Sequence, residues 1–484
     1  MKKSYKIYSA LILLLFAALS SCKKTIDIEP THTENGENSF TKIEDYEFAL
    51  TGAYSRLLSV NYYGSSNGSS AFSTLSDMMT DNLFESSETL GNYQNFSHWT
   101  YTADDTNIDA TWLAAYRVIQ QCNLTLRNID MLAPVNPGAV NRIKSQALAL
   151  RAFVHFDILR YWGEGSLRNS TLKGIPYVLA FDIEQKPSRL SVKGSYDAIL
   201  KDLQDAKSLM QDMDKAIQSA TSTASTARAY IDEIGANAIL ARIYNYCGEA
   251  DSAIKYATLA IDARPLASRT TFPLIWQDAS TSEVIWSAKF TPLNSGTGDN
   301  VYYVVGNRAS YRPTANLTSL YDQVNDVRYS SYFQLRARGA STRLVLVKYL
   351  AKQSQLAKPD GITDFKVLRT GEMYLIRAEA YANLAMEGPA LADLNTLRAA
   401  RINGFVAGVE TGAALLTAIE NERRKELVCE GHRWFDLKRT DRTVDRTTNC
   451  NVFCTLDAAA REWAWPLPQT EILANPNVEQ TTGY

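Results

Sequence analysis

Histidine is almost missing from this chain, with four in 484 residues. That scarcity weighs against imidazole acid–base catalysis and against histidine-built zinc sites, both of which need the ring at a set spacing. No His-Glu-x-x-His and no phosphate-binding glycine loop occurs, so those short catalytic signatures are absent too. An excess of one charge is also lacking. Fifty Lys and Arg face 52 Asp and Glu, a net of −2. With no basic tract besides, nucleic acid meets neither a global field nor a local groove. Paired carboxylates for glycoside cleavage stay open, because their separation in space is not written in a sequence. Tyrosine and tryptophan, by contrast, are plentiful at 26 and 8, which suits stacking and hydrogen bonding.

The N-terminus carries the sharpest short signal. Lys2, Lys3 and Lys6 precede an apolar run from Ile7 to Leu19, too short for a stable membrane span and shaped like a signal peptide. It ends in Leu19-Ser20-Ser21-Cys22, a cysteine directly after small residues, which resembles a bacterial lipobox. Small residues let a signal peptidase approach, and the Cys22 thiol then takes the acyl chains, each buried methylene adding roughly 0.8 kcal/mol of membrane affinity. The other readings are an ordinary secretory signal with an incidental cysteine, or an uncleaved anchor. Residues 1–21 are therefore expected as a leader, 22–40 as a polar lipidated tether, and 41–484 as one folded domain. No later segment is apolar enough to cross a membrane. Of the remaining cysteines, Cys450 and Cys454 can pair if their loop permits. Cys122 and Cys247 lie in helical patterns and are expected as buried thiols. No metal site is expected.

Period-3.6 patterns dominate the body. Helices are expected near 42–58, 109–131, 140–162, 192–212, 230–247, 250–263, 371–384, 389–401, 413–429 and 432–439. The third is apolar on nearly every face and should be central. Two stretches fit the tetratricopeptide template. One has Leu240, Ala241 and Tyr244, then Ala253, Ala260 and Pro265; the other has Tyr374, Ala378, Tyr381, Ala390 and Leu394, with Leu397 where alanine is usual. Small residues are needed where the helices cross closely. The fold class expected is mainly α: an irregular array of tetratricopeptide-like hairpins with a loop-rich, partly β insertion at about 264–370. Its β-prone runs are 283–290, 301–305 and 343–350. A second irregular stretch, 61–101, holds the serine–glycine run 64–70. Loops this long are candidates for function.

The run Glu422-Arg423-Arg424-Lys425-Glu426-Leu427, continuing to Glu430-Gly431-His432-Arg433-Trp434-Phe435-Asp436-Leu437-Lys438-Arg439, resembles the C-terminal signature of the SusD/RagB family. Tyr374 to Ala380, Ala392-Asp393-Leu394-Asn395 with Arg398, and Leu148 to Phe153 with Tyr161-Trp162-Gly163 match the same family. So do Asp77-Met78-Met79-Thr80-Asp81, the Trp112 to Tyr116 helix and the ending Asn475 to Tyr484. These motifs fall in the family's order over nearly the whole mature chain, behind a fitting lipobox. The resemblance implies a nutrient-binding lipoprotein of the Bacteroidetes outer membrane, surface-exposed and held by acylated Cys22. It also implies an oligosaccharide ligand, in some members a peptide, passed to a TonB-dependent transporter of the SusC type, with no cofactor. A helical scaffold without a small ligand, or a surface hydrolase, are the alternatives from other classes. Carboxylates and guanidiniums three and four apart in the signature read as structural ion pairs rather than acid–base machinery.

A sugar site needs flat rings for the C–H-rich face of a pyranose and amides or charges for its hydroxyls. Two irregular stretches carry that mixture: Asn92, Tyr93, His98, Trp99 and Tyr101, and Asn300, Tyr302, Tyr303, Arg308 and Tyr311. In the family, ligand contacts come from the loop ahead of the Trp112-type helix and from the mid-chain insertion, which supports the regions. Alanine at Trp99 or Tyr303 is expected to weaken binding without changing the melting temperature. Trp112, Trp162 and Trp434 sit in helical motifs and are expected in the core.

Overall fold

The computed structural model describes residues 40–65, 68–182, 184–211, 228–294, 296–446, 449–450 and 452–484. The expected leader, Cys22, and all of the tether but residue 40 lie outside the described residues. So do residues 66 and 67 of the serine–glycine run and the last residue expected for the fourth helix. The chain divides into a short unit, Met1–Glu47, and a body, Phe48–Tyr484. Ten helices of seven or more residues are described: α1 Ile43–Arg56, α2 Thr106–Leu126, α3 Pro137–Trp162, α4 Val192–Gln211, α5 Glu233–Tyr246, α6 Ala250–Ala263, α7 Thr370–Asn383, α8 Glu387–Arg401, α9 Gly412–Glu426 and α10 Arg433–Arg439.

Caps decide where these helices begin. The Asp105 carboxylate accepts from the amides of Asn107 (2.8 Å) and Ile108, so α2 starts at Thr106, ahead of the apolar period that suggested residue 109. Asn136 caps α3 through the Ala139 amide at 3.1 Å, with Pro137 in the first turn. Every residue of α3 from Ala149 to Trp162 is buried, so this helix is central, as its all-round apolar pattern predicts. Its polar groups are partnered. Arg151 pairs with Asp202 at 2.7 Å. His155 lies between the Arg151 carbonyl (2.9 Å) and the Val178 amide (3.1 Å), and burial pushes its pKa down to about 3, leaving a neutral ring.

Consecutive helices pack as hairpins, α2 on α3, α3 on α4, α5 on α6 and α7 on α8. In the α5–α6 hairpin Leu240, Ala241, Ala253 and Ala260 are fully buried. Tyr244 stacks parallel to Tyr256 at 5.6 Å, and Gly248 makes the turn at φ +85°, a backbone shape that disfavours any Cβ. In the second hairpin Ala378, Ala390 and Leu394 share a core with Leu415 and Ile419 of α9. Trp112, Trp162 and Trp434 are buried, as expected of helical tryptophans.

The charged signature forms a buried lattice. Glu426 accepts from Arg328 (3.0 Å), Arg369 (2.8 Å) and Arg401 (3.0 Å); Arg369 also reaches Glu430, and Arg328 reaches Glu422. Burial opposes the charge on Glu422, yet Arg328 and Lys425 hold its pKa down to about 2. His432 is kept neutral by burial and by the cations Arg242, Arg423 and Arg160 around it. Gly431 adopts φ +80°, where a Cβ would lie 2.3 Å from the Phe72 carbonyl oxygen. These side chains tie the hairpins to the insertion, the structural role that their spacing suggests.

The insertion is closed at its base by β2 (Val284–Ala288) pairing antiparallel with β8 (Phe365–Arg369). Four more two-stranded antiparallel ladders are described: β1 (Leu83–Glu85) with β5 (Tyr311–Pro313), β3 (Tyr302–Tyr303) with β4 (Arg308–Ala309), β6 (Phe333–Arg338) with β7 (Ser341–Leu346), and β9 (Val444–Asp445) with β10 (Thr455–Leu456). The β1–β5 pair joins the two irregular stretches noted in the sequence. No described helix is long and apolar enough to cross a membrane.

Candidate ligand-binding site

A hollow of about 340 Å³ lies where β1, the turn Ser97–His98, and Arg446, Asn449, Cys450 and Val452 meet. Its volume falls within the roughly 300–1,000 Å³ of small-ligand clefts. One wall is the backbone register Phe84↔Arg312 and Glu85↔Tyr311. The Arg312 guanidinium sits 5.3 Å from the centre of the Phe84 ring. Behind it, Ser86 is fixed by its amide to the Ser310 carbonyl at 2.9 Å and by its hydroxyl to that of Ala309.

The opposite wall depends on two non-glycine residues in left-handed conformation, Tyr93 (φ 65°) and Trp99 (φ 56°). Such backbone costs of order 1–3 kcal/mol per residue and persists where its surroundings hold it. Here the Tyr93 hydroxyl donates to the Gly68 carbonyl at 2.7 Å, and the Trp99 indole donates to Met79 at 3.0 Å. The short helix between them, Gln94–Ser97, presents His98 to the hollow. The His98 ring is 3.0 Å from the Glu85 carboxylate and stacks on Phe453 at 4.7 Å and 17°. Phe453, 47% exposed, is carried by a loop closed by the Cys450–Cys454 disulfide, with Cα atoms 5.6 Å apart. Arg446 forms the floor over the Trp99 ring, 4.3 Å away. It donates to the carbonyls of Thr80 (2.9 Å), Ser97 (2.6 Å), Met78 (3.1 Å) and Phe453 (3.3 Å). Burial pushes its pKa down to about 10, only partly countered by Tyr311, Asp81 and Glu85.

The ten residues singled out in the sequence divide sharply. Tyr93, Trp99, Tyr101, Tyr302 and Tyr311 are all buried, at 8% exposure or less, so in this structure their faces are spent on packing rather than offered to a ligand. Tyr101 donates to the Glu462 carbonyl and packs on Phe96 and Trp465. Tyr311 bonds the Asn92 carbonyl at 3.1 Å, and Tyr302 bonds Asn307 at 3.0 Å. Asn300 is buried too, its amide oxygen accepting from Thr74 at 2.7 Å. Three remain at the surface: Asn92, exposed; Tyr303, 38% exposed; and Arg308, half-buried beside the Tyr303 ring. His98, the tenth, lines the hollow, so the stretch 92–101 supplies a wall through it and its neighbour Ser97. Phe84, Arg446 and Phe453 went unnoticed in the sequence, since none belongs to a recurring pattern. The nearest signal was the close spacing of Cys450 and Cys454.

Two other hollows lack this character. One of about 540 Å³ beside α9 has no aromatic residue in its wall, and its Arg398 and Lys425 pair with Glu422. One of about 320 Å³ is rich in arginine, but Arg423, Arg424, Arg433, Arg439 and Arg442 are each bridged to Asp81, Glu379, Glu420 or Asp436.

Comparison with known proteins bears on the same chain segments. A model described as SusD family matches residues 301–484, and one described as starch-binding associating with outer membrane matches residues 35–244. SusD-like proteins P38 and P2 of Formosa agariphila are each 24% identical to this chain over 98% of both lengths. A SusD superfamily protein from Bacteroides thetaiotaomicron superposes with a TM-score of 0.78 at 24% identity, covering 91% of this chain and all of that one. A SusD-like carbohydrate binding protein from Bacteroides vulgatus does so with a TM-score of 0.76 at 23% identity, covering 91% and 98%. The hairpin array, the signature lattice and these matches at both ends lead to one assignment: the chain belongs to the SusD/RagB family.

Proposed function

We propose that this protein captures an oligosaccharide in the hollow between β1, His98 and Arg446 and delivers it to a TonB-dependent, SusC-like transporter of the outer membrane. Acylated Cys22 holds it there, on the cell surface. The observation that carries the reading is the rim itself. Phe84, His98 backed by the Phe453 ring, and the Glu85 carboxylate combine apolar ring surface with hydrogen-bonding groups around one cleft. That is the chemistry a pyranose needs. Outer-membrane association is supported by the description of the family model over residues 35–244, and carbohydrate as ligand class by the name of the structural relative from Bacteroides vulgatus.

The reading makes the protein a carrier that returns its ligand unchanged. Tyr303, Arg308 and Asn92 extend the surface available to a longer chain. The β3–β4 turn that carries Tyr303 and Arg308 is tied to the cleft's edge: Arg343 joins Glu88, two residues beyond Ser86, to the carbonyl of Asn307. Calorimetric titration of the mature chain with oligosaccharide and peptide libraries tests this, followed by mass spectrometry of the recovered ligand. Saturable binding of an intact oligosaccharide is expected. Binding confined to peptides, or conversion of the sugar, overturns it.

A further inference from the structure

Ten arginines are buried among the described residues. Nine of them, Arg151, Arg160, Arg242, Arg328, Arg343, Arg369, Arg401, Arg423 and Arg433, have a carboxylate within ion-pair distance. Arg446 is the exception, and it forms a wall of the hollow. A guanidinium presents five N–H donors. Four bonds run from Arg446 to main-chain carbonyls, so one N–H has no described partner. Carbonyl dipoles soften the cost of burying the cation but do not cancel its charge, and buried charges are as a rule paired. The one carboxylate in the wall, Glu85, is engaged by His98 at 3.0 Å and by Gln94.

The imbalance continues outward. Arg312, above the Phe84 ring, has no ion pair among the described residues; its Nε donates to the Leu344 carbonyl at 3.4 Å. Arg308 and Arg336 likewise lack carboxylate partners, and each keeps a buried Nε with no hydrogen-bond acceptor. Glu88 serves both Arg343 (2.5 Å) and the exposed Arg338 (3.2 Å). Around one cleft and its β5–β7 flank the cations therefore outnumber the anions, in a protein whose net charge is −2.

We infer that the hollow takes an anionic saccharide, one bearing carboxylate or sulfate groups, with one charged substituent set against Arg446 and another against Arg312. Arginine suits this task, because its planar fork of donors matches carboxylate and sulfate oxygens. A neutral sugar leaves the charge of Arg446 uncompensated, whereas an anionic one completes the pairing found at the other nine. Unlike the Tyr303 surface, this arrangement selects ligands by charge. The inference rests on the oligosaccharide reading above and narrows it.

The test is a titration of the full mature chain with matched pairs. One pair is a galacturonate oligosaccharide and its fully methyl-esterified form. The other is a sulfated galactan oligosaccharide and its desulfated form. At least one charged member is expected to bind at least tenfold more tightly than its neutral partner, with the difference shrinking as sodium chloride is raised from 50 to 500 mM. Arg312→Ala, at a half-buried surface position, should weaken the charged ligand several-fold more than it weakens the neutral partner. Arg446→Lys keeps the charge but loses the fork, and should weaken the charged ligand further. Equal binding of charged and neutral partners, or binding of neutral members alone, overturns the charge selection while leaving oligosaccharide capture standing. Failure of every saccharide, charged or neutral, overturns both.

Discussion

The His98 imidazole lies flat on the Phe453 ring, centroids 4.7 Å apart, although the two residues come from opposite ends of the chain. The pair is held from both sides: Glu85 anchors the imidazole at 3.0 Å, and the Cys450–Cys454 disulfide closes the loop that carries the phenyl ring. Opening that loop with Cys450→Ser and Cys454→Ser should release Phe453 from the rim. Such an aromatic contact is worth about 0.5–1.5 kcal/mol, so saccharide affinity should fall several-fold while the melting temperature moves little. Calorimetric titration beside a thermal melt checks this. Unchanged affinity would detach the disulfide loop from the site.

Trp99 and Tyr303 are expected to part company. Trp99 is buried, donates to Met79 and supports the Arg446 guanidinium. Its replacement by alanine should cost about 3–5 kcal/mol of folding stability, a correction to the view that it could be truncated without affecting the melt. Tyr303→Ala, at an exposed ring, should change stability by no more than about 0.5 kcal/mol. Urea unfolding of the two variants separates them, and a Trp99→Ala protein as stable as the parent would refute the packing role.

Glu426 gathers three guanidiniums, from Arg328, Arg369 and Arg401. Glu426→Gln strands those charges in the core, and breaking a buried pair from one side costs about 3–5 kcal/mol. Denaturant midpoints should show a loss of that size, with ligand affinity per folded molecule unchanged. A variant that folds normally yet binds no ligand would contradict the structural assignment of the signature.

Acid should erase the contribution of Glu422. Its folded pKa, near 2, lies below the ordinary glutamate value because Arg328 and Lys425 outweigh burial. Its stabilisation is therefore complete above about pH 4.5 and is lost as pH falls toward 2. Asp77 works the other way: burial raises its pKa to about 6 despite its hydrogen bonds, so its share of stability declines as pH rises from about 4 to 6. The stability gap between parent and Glu422→Gln should narrow steadily below pH 4.5. Urea midpoints measured from pH 3 to 7 give the curve, and a gap independent of pH would show that Glu422 does not titrate as described.

The helical frame was legible because its rules are local. Periodicity located all ten helices, and the small residues Ala241, Ala253, Ala260, Ala378 and Ala390 marked close crossings that the structure confirms. Boundaries slipped where a polar cap preceded the apolar pattern, at Asp105 and Asn136. The site was legible only as a region. Loop aromatics such as Tyr101 and Tyr311 carry no sequence mark to say whether they line a cleft or fasten a loop, and burial has assigned them to the second task.

By itself the sequence determined the mainly helical array, the hairpin pattern, the family signature and the ionic role of that signature, since each follows from spacing along one chain. Tertiary structure alone decided that Arg446 would lack the carboxylate partner given to every other buried arginine described, and that Phe84 and His98 would line one hollow with Phe453 stacked on His98. The physical reason is distance. Charge compensation and ring stacking act over a few ångströms between segments hundreds of residues apart, and only folding brings those segments within reach.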